Sequence, residues 1–121
     1  MKRNQSTEDY LESILLLSKE SEFVHRVDVA RKEGVSQPAV QKAVKILQSS
    51  GFVECDGMHI YLTKKGEEYA ARIYERHCTI RDFLVLHGVN ALDADADACE
   101  MEHVLSDTTF NMMREYVEKH R

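Results

Sequence analysis

VDVARKEGVSQPAVQKAVKILQSSGFVECDGMHIYL, residues Val27 to Leu62, sets its helix and turn formers in an order that decides the fold. Val27 to Lys32 reads as a short helix stopped at Gly34, since glycine takes the left-handed conformation at a helix end without steric cost. Ser36 is placed to cap a second helix, and Pro38 falls in its first turn, where a missing N–H costs little. Val40, Val44 and Leu47 give that helix one apolar face, up to a stop at Ser50-Gly51. Two short β-rich runs, Phe52 to Cys55 and Met58 to Leu62, then flank Asp56-Gly57, a strong hairpin signal. Helix, a three-residue joint at Glu33-Gly34-Val35, helix and hairpin is the order of a winged helix-turn-helix. A small α+β domain that uses this topology for protein contacts is the rival reading.

On the N-terminal side, Ser6 or Thr7 can cap a first helix running to about Ser18, with Glu8 and Asp9 in its opening turn. Tyr10, Leu11, Ile14, Leu15 and Leu17 form its packing stripe, and Asp9 and Glu12 share the opposite side. Lys19 to Glu22 reads as a polar break. On the C-terminal side a long helix is expected from about Lys64 to Leu86, ended at Gly88. An acidic helix follows from near Leu92, and a last helix runs from Ser106-Asp107 to about Lys119. The class is therefore mainly α: a winged helix-turn-helix DNA-binding domain over 1–72, followed by an α-helical domain over 73–121. The later helices carry Ile80, Phe83, Leu84, Val104, Leu105, Phe110, Met113 and Val117. This stripe exceeds what the front domain needs and is expected to serve partly as a homodimer interface.

The chain of 121 residues suffices for one ordinary core or two small units, and its net charge of −5 is unevenly placed. Residues 1–72 hold 11 Lys and Arg against 11 Asp and Glu, and residues 73–121 hold 5 against 10. A neutral front half can approach a polyanion, while an acidic back half attracts cations. No apolar run approaches 18 residues, so no membrane partner is expected. No apolar signal core follows the basic Met1-Lys2-Arg3 start. Three cysteines, Cys55, Cys78 and Cys99, form no paired framework and fit a reducing cytoplasm.

In a winged helix-turn-helix the N-terminal residues of the second helix lie nearest base edges in the major groove. Ser36, Gln37, Pro38, Gln41 and Lys42 are the candidates: Gln pairs with adenine, Lys with guanine, and Pro38 and Ala39 can touch thymine methyls. Lys45, Arg26, His25, Lys2 and Arg3 are suited to phosphates, which position the protein without reading sequence. The expected partner is double-stranded operator DNA, bound by a dimer because one half-site binds weakly.

The back half also holds DADADACEMEH, Asp93 to His103. At 100° per residue Asp95, Cys99, Glu102, His103 and Ser106 fall on one narrow face. Asp93 and Asp97 point elsewhere and read as the solvated acidic start of a helix. A soft sulfur, a hard carboxylate and an imidazole at i, i+3 and i+4 are harder to explain as solvation.

Ser6 to Glu12, Val35 to Val40, Leu62-Thr63-Lys64-Lys65-Gly66, Arg76-His77 and Cys99-x-x-Glu102-His103-Val104-Leu105-Ser106 together resemble the diphtheria toxin repressor and manganese transport regulator family, over nearly the whole chain. The resemblance is to its short form, without an SH3-like third domain. It implies a dimeric, metal-activated repressor whose helical domain binds metal and dimerises. Carried over by position, the ligands are Asp9, Glu12, His77, Cys99, Glu102 and His103. Manganese-type members have a carboxylate where this chain has Cys99, and iron-type members a methionine where it has Asp9. The set is thus a hybrid. A thiolate favours Fe(II), Co(II), Ni(II) or Zn(II), while the carboxylates suit Mn(II) or Fe(II), so Fe(II) or Mn(II) is the expected cofactor. Arg81 and Asp95 stand where iron-type members place second-site ligands, which leaves one or two metals per protomer open. Cys55 and Cys78 read as packing or surface residues. The stretch from Gly66 to Ile73 is expected to act as a hinge that loosens without metal.

A metal-independent winged-helix DNA-binding regulator, whose acidic face merely solvates, is the alternative. A metalloenzyme is disfavoured: there is no further general acid/base pair, no motif for a small-molecule substrate and little room for a cleft.

Overall fold

A computed structural model describes residues 5–121. Six helices and three short strands run in the order α1 (Gln5–Glu20), β1 (Val24–His25), α2 (Arg26–Glu33), α3 (Gln37–Ser49), β2 (Val53–Asp56), β3 (His59–Leu62), α4 (Lys64–Leu86), α5 (Ala91–Met101) and α6 (Asp107–His120). They form two compact units, one ending at Ala71 and the other comprising Arg72–Arg121, so the boundary falls inside α4.

In the first unit, Leu11 and Ile14 of α1 pack with Val29, Val40, Val44 and Leu47 of α2 and α3 in an apolar core. The same core takes Val24, Val53 and Ile60 from the strands, and Tyr10, Leu15 and Leu17 pack at its edge. Two caps separate α2 from α3. Gly34 lies in the left-handed region at φ +68° and its N–H returns to the Ala30 carbonyl. Ser36 Oγ then accepts from the Ala39 N–H. These local signals were readable in sequence because each acts within four residues.

Three details differ from expectation. α1 already includes Thr7 and continues to Glu20, so Thr7 lies inside the helix rather than ahead of its first turn. The polar break after α1 is shorter than expected, because α1 takes in Lys19 and Glu20, and Val24–His25 beyond it forms β1 on the edge of an antiparallel sheet of order β1-β3-β2. A two-residue strand has no readable period; it exists because Val24 and His25 pair with Ile60 and His59 across the sheet. The hairpin turn is also displaced by one residue. Asp56 pairs with His59, leaving Gly57-Met58 as the two-residue turn with Gly57 at φ +62°. This is the position glycine takes in a type II′ turn.

In the second unit, Asn90 Oδ1 caps α5 by accepting from the Asp93 N–H, and Ser106 Oγ caps α6 by accepting from the Thr109 N–H. The core here is small: Ile80, Ala98, Phe110 and Met113, with Phe83, Leu84, Met101 and Leu105 packed against them. The apolar stripe expected to serve partly as an interface divides between this core and its margin. Ile80, Phe110, Met113 and Val117 are buried within the chain itself, and of the eight stripe residues only Val104 is exposed. The exposed apolar side chains of this unit are instead Val85, Leu86, Leu92, Val104 and Met112. The stretch expected to act as a hinge is helical throughout, interior to α4. Gly66 is buried there, and a Cβ on it would stand 1.9 Å from the Phe52 carbonyl oxygen.

Candidate metal centre and nucleic-acid interface

His77 projects from α4, Cys99 from the last turn of α5, and Glu102 is the C-terminal cap of α5. His103 therefore lies just beyond the helix rather than on it, which corrects the helical i, i+4 placement; the turn after α5 keeps it beside Glu102. One donor atom each from His77, Cys99 and Glu102 lie within 4.8 Å of one another. Metal–donor bonds of about 2.0–2.3 Å place two donors of one ion up to about 4.6 Å apart, so small side-chain adjustments suffice. Imidazole, thiol and carboxylate together are a donor set for first-row transition metals. The residues fit the group that the resemblance implies.

The electrostatics agree. Glu102 is fully buried, with Oε2 at 3.1 Å from His77 Nδ1 and Oε1 at 3.2 Å from His103 Nε2. His77 Nε2 is 2.8 Å from Asp95 Oδ1. Hydrogen bonding to Cys99, then to Glu102 and Asp95, pushes the His77 pKa up to about 11 against the opposing effect of burial. Without metal these partners therefore favour the doubly protonated, positively charged ring. Cys99 itself is exposed. Cys55 and Cys78 are half-buried.

Asp9 and Glu12 belong to the first unit, where both are half-buried, one helical turn apart on α1. Arg81 pairs with its neighbour Asp82 at 3.3 Å.

Arg76 is a functional residue that sequence reasoning passed over. Its guanidinium donates to the carbonyls of Glu102 at 3.2 Å and Leu105 at 2.8 Å, pairs with Asp107, and lies 4.5 Å over the Phe110 ring. It donates to carbonyls at both ends of the turn between α5 and α6, and so ties the Glu102–His103 turn to the helix bearing His77. The available signal was an arginine directly before a ligand-type histidine.

In the first unit, Ser36, Gln37, Pro38, Lys42 and Lys45 are all exposed along α3. Gln41 is half-buried and accepts a hydrogen bond from Arg26 Nε, while Arg26 Nη2 reaches Cys55 Sγ at 3.7 Å. Arg26 is thus held over Gln41 rather than extended toward a phosphate. Arg26, Gln37, Pro38 and Gln41 line one cleft with Gly57 and Met58 of the hairpin turn. His25 is half-buried at the start of α2, its N–H donating to Asp28. Lys2 and Arg3 lie outside the described residues.

Known proteins match this arrangement. The family model described as the iron-dependent repressor N-terminal DNA-binding domain matches residues 4–59. The one described as the iron-dependent repressor metal-binding and dimerisation domain matches residues 63–121. The transcriptional regulator MntR of Escherichia coli O6:H1 is 37% identical over 98% of this chain and 77% of its own length. An uncharacterized HTH-type transcriptional regulator of Methanocaldococcus jannaschii is 36% identical over 96% of this chain and 95% of its own. Among solved structures, that of the manganese regulator SloR superposes with a TM-score of 0.81 at 33% identity, over 98% of this chain. The match takes up 55% of that protein, so this chain spans about half its length.

Proposed function

This chain belongs to the iron-dependent repressor family of metal-dependent transcriptional regulators, and on that premise we propose that it is a dimeric repressor activated by Fe(II) or Mn(II). The DNA-binding domain is 1–72 and the metal-binding and dimerisation domain 73–121. The observation that carries the reading is the convergence of His77, Cys99 and Glu102 donors within 4.8 Å, in the part matched by a metal-binding domain. The resemblance assigns His103, Asp9 and Glu12 to the same function. The operators are those of metal-homeostasis genes, and the site of action is the cytoplasm, where the DNA is. Among the described residues no helix is long and apolar enough to cross a membrane.

The bound ion supplies positive charge among carboxylates that otherwise repel one another. The chain's own residues do the rest. Glu102 stands between two imidazoles, Arg76 holds its turn, and Cys99 adds a thiolate that favours Fe(II), Co(II), Ni(II) or Zn(II) over Mn(II). Asp9 and Glu12 matter for a mechanical reason. α1 shares its core with α2 and α3, so a constraint on those carboxylates is a constraint on the reading helix. Favouring one arrangement by binding shifts the population toward it. At the DNA, Ser36, Gln37, Pro38, Gln41 and Lys42 face bases, and Lys45 and Arg26 face phosphates, Arg26 after releasing Gln41.

The test is anaerobic selection from a randomised DNA duplex pool with Fe(II), Mn(II), Co(II) or Zn(II). Wild type is expected to retain specific duplexes only with metal. Cys99→Ser, a substitution at an exposed site, is expected to shift the preference toward Mn(II), and Glu102→Ala to abolish the metal response. Equal retention with and without metal would establish the metal-independent regulator instead.

A further inference from the structure

Asp95 has no role in the six-ligand set, yet its carboxylate meets one of those ligands directly. Oδ1 lies 2.8 Å from Nε2 of His77, while the other ring nitrogen, Nδ1, lies 3.1 Å from Glu102 Oε2. The imidazole is thereby held by both edges, with its plane and its rotation set. His77 is buried, and the Asp95 side chain is 61% exposed, so the carboxylate closes the outer edge of the ring. Asp95 is one helical turn before Cys99, which brings it to the same flank of α5.

We propose that Asp95 is the positioning residue of the metal centre: it accepts the Nε2–H of His77 and so commits Nδ1 to the metal. A carboxylate behind a ligand histidine fixes its tautomer and raises its basicity as a donor. This rests on the reading that His77, Cys99 and Glu102 hold a metal ion. It adds which edge of His77 faces the ion and what keeps it there. It also gives Asp95 a role other than that of a second-site ligand.

Cd(II) binding to the full chain tests it, with wild type, Asp95→Ala, Asp95→Asn and Asp97→Ala. Asp97 is a nearby exposed carboxylate and controls for bulk negative charge. Asn can still accept from Nε2–H, and Ala cannot. Asp95→Ala is expected to weaken Cd(II) binding by about tenfold or more, the usual size of effect for such a partner. Asp95→Asn should recover a large part of that loss, and Asp97→Ala should remain near wild type. In wild-type protein carrying 15N-labelled histidine, 113Cd should couple to Nδ1 of His77, with Nε2 protonated. Coupling to Nε2 would overturn the proposal, as would equal affinities for Asp95→Ala and Asp97→Ala, or tighter binding by Asp95→Ala. Loss of a whole equivalent of Cd(II) in both Asp95 variants would make Asp95 a ligand and overturn it too. Failure of wild type to bind Cd(II) at all would instead remove the metal-centre reading beneath it.

Discussion

The two units place their functional residues in opposite settings. In the first, the interior is aliphatic and the candidate DNA-contacting residues on α3 are largely exposed, where a polar side chain costs almost nothing. In the second, the apolar core is small, and His77, Glu102 and His103 are buried beside it. Burying such groups is unfavourable unless hydrogen bonds and opposite charge compensate. Reading DNA needs accessible groups on a rigid support, whereas sensing a cation needs donors held together against their own repulsion. The first unit separates stability from function residue by residue. In the second they reside in the same side chains.

The largest expected effect on stability comes from the interior of the first unit. Leu47→Ala removes a fully buried side chain and should lower its unfolding free energy by about 2–5 kcal/mol. Denaturant titration would check it, and a loss near zero would mean that this core is not the support of α3. Next come the exposed residues of the same unit. Lys42→Ala should cost about 1–3 kcal/mol in binding to a selected duplex. Lys45→Ala should weaken all duplexes alike and lower the salt slope by about one unit. Neither should move the denaturation midpoint, and a marked shift in it would break the contrast between the units.

A pH dependence should be confined to the second unit. The folded-state pKa of His77 is raised from 6.5 to about 11. A raised pKa stabilises the metal-free fold fully below the unfolded value, and that contribution is lost as pH rises through the folded value. Metal-free stability should therefore decline between about pH 6.5 and about pH 11, and His77→Gln should flatten that decline. Metal displaces the same proton, so apparent metal affinity should rise with pH over this window. A profile identical in wild type and variant would show that the ring carries no such proton.

Legibility followed the range of the interactions. Gly34, Ser36 and Pro38 marked the joint and the start of α3 correctly, because caps and turns act within a few residues. The ligand types at 77, 99 and 102 were visible from the resemblance. β1 was not, since Val24 and His25 are a strand only through partners 36 and 34 positions away. The apolar stripe was only partly legible for a related reason: periodicity shows that a face is apolar, not which of its residues this chain covers. Val104 and Met113 look alike in sequence, yet one is exposed and the other is core.

The sequence by itself determined the order of the helices and the hairpin, the caps of α3 and α6, the uneven charge, and the hybrid thiol, carboxylate and imidazole chemistry. These follow from backbone preferences and side-chain type, which each residue carries wherever the chain goes. Only the tertiary structure decided that Arg76 grips the Glu102–His103 turn, that Arg26 covers Gln41, and that Asp95 rather than solvent meets the outer edge of His77. Those pairings join residues 15 to 26 positions apart, on different elements in each case. No local preference encodes them: they exist because apolar cores of the two units hold the helices in place, and the polar groups at their margins satisfy one another where they meet.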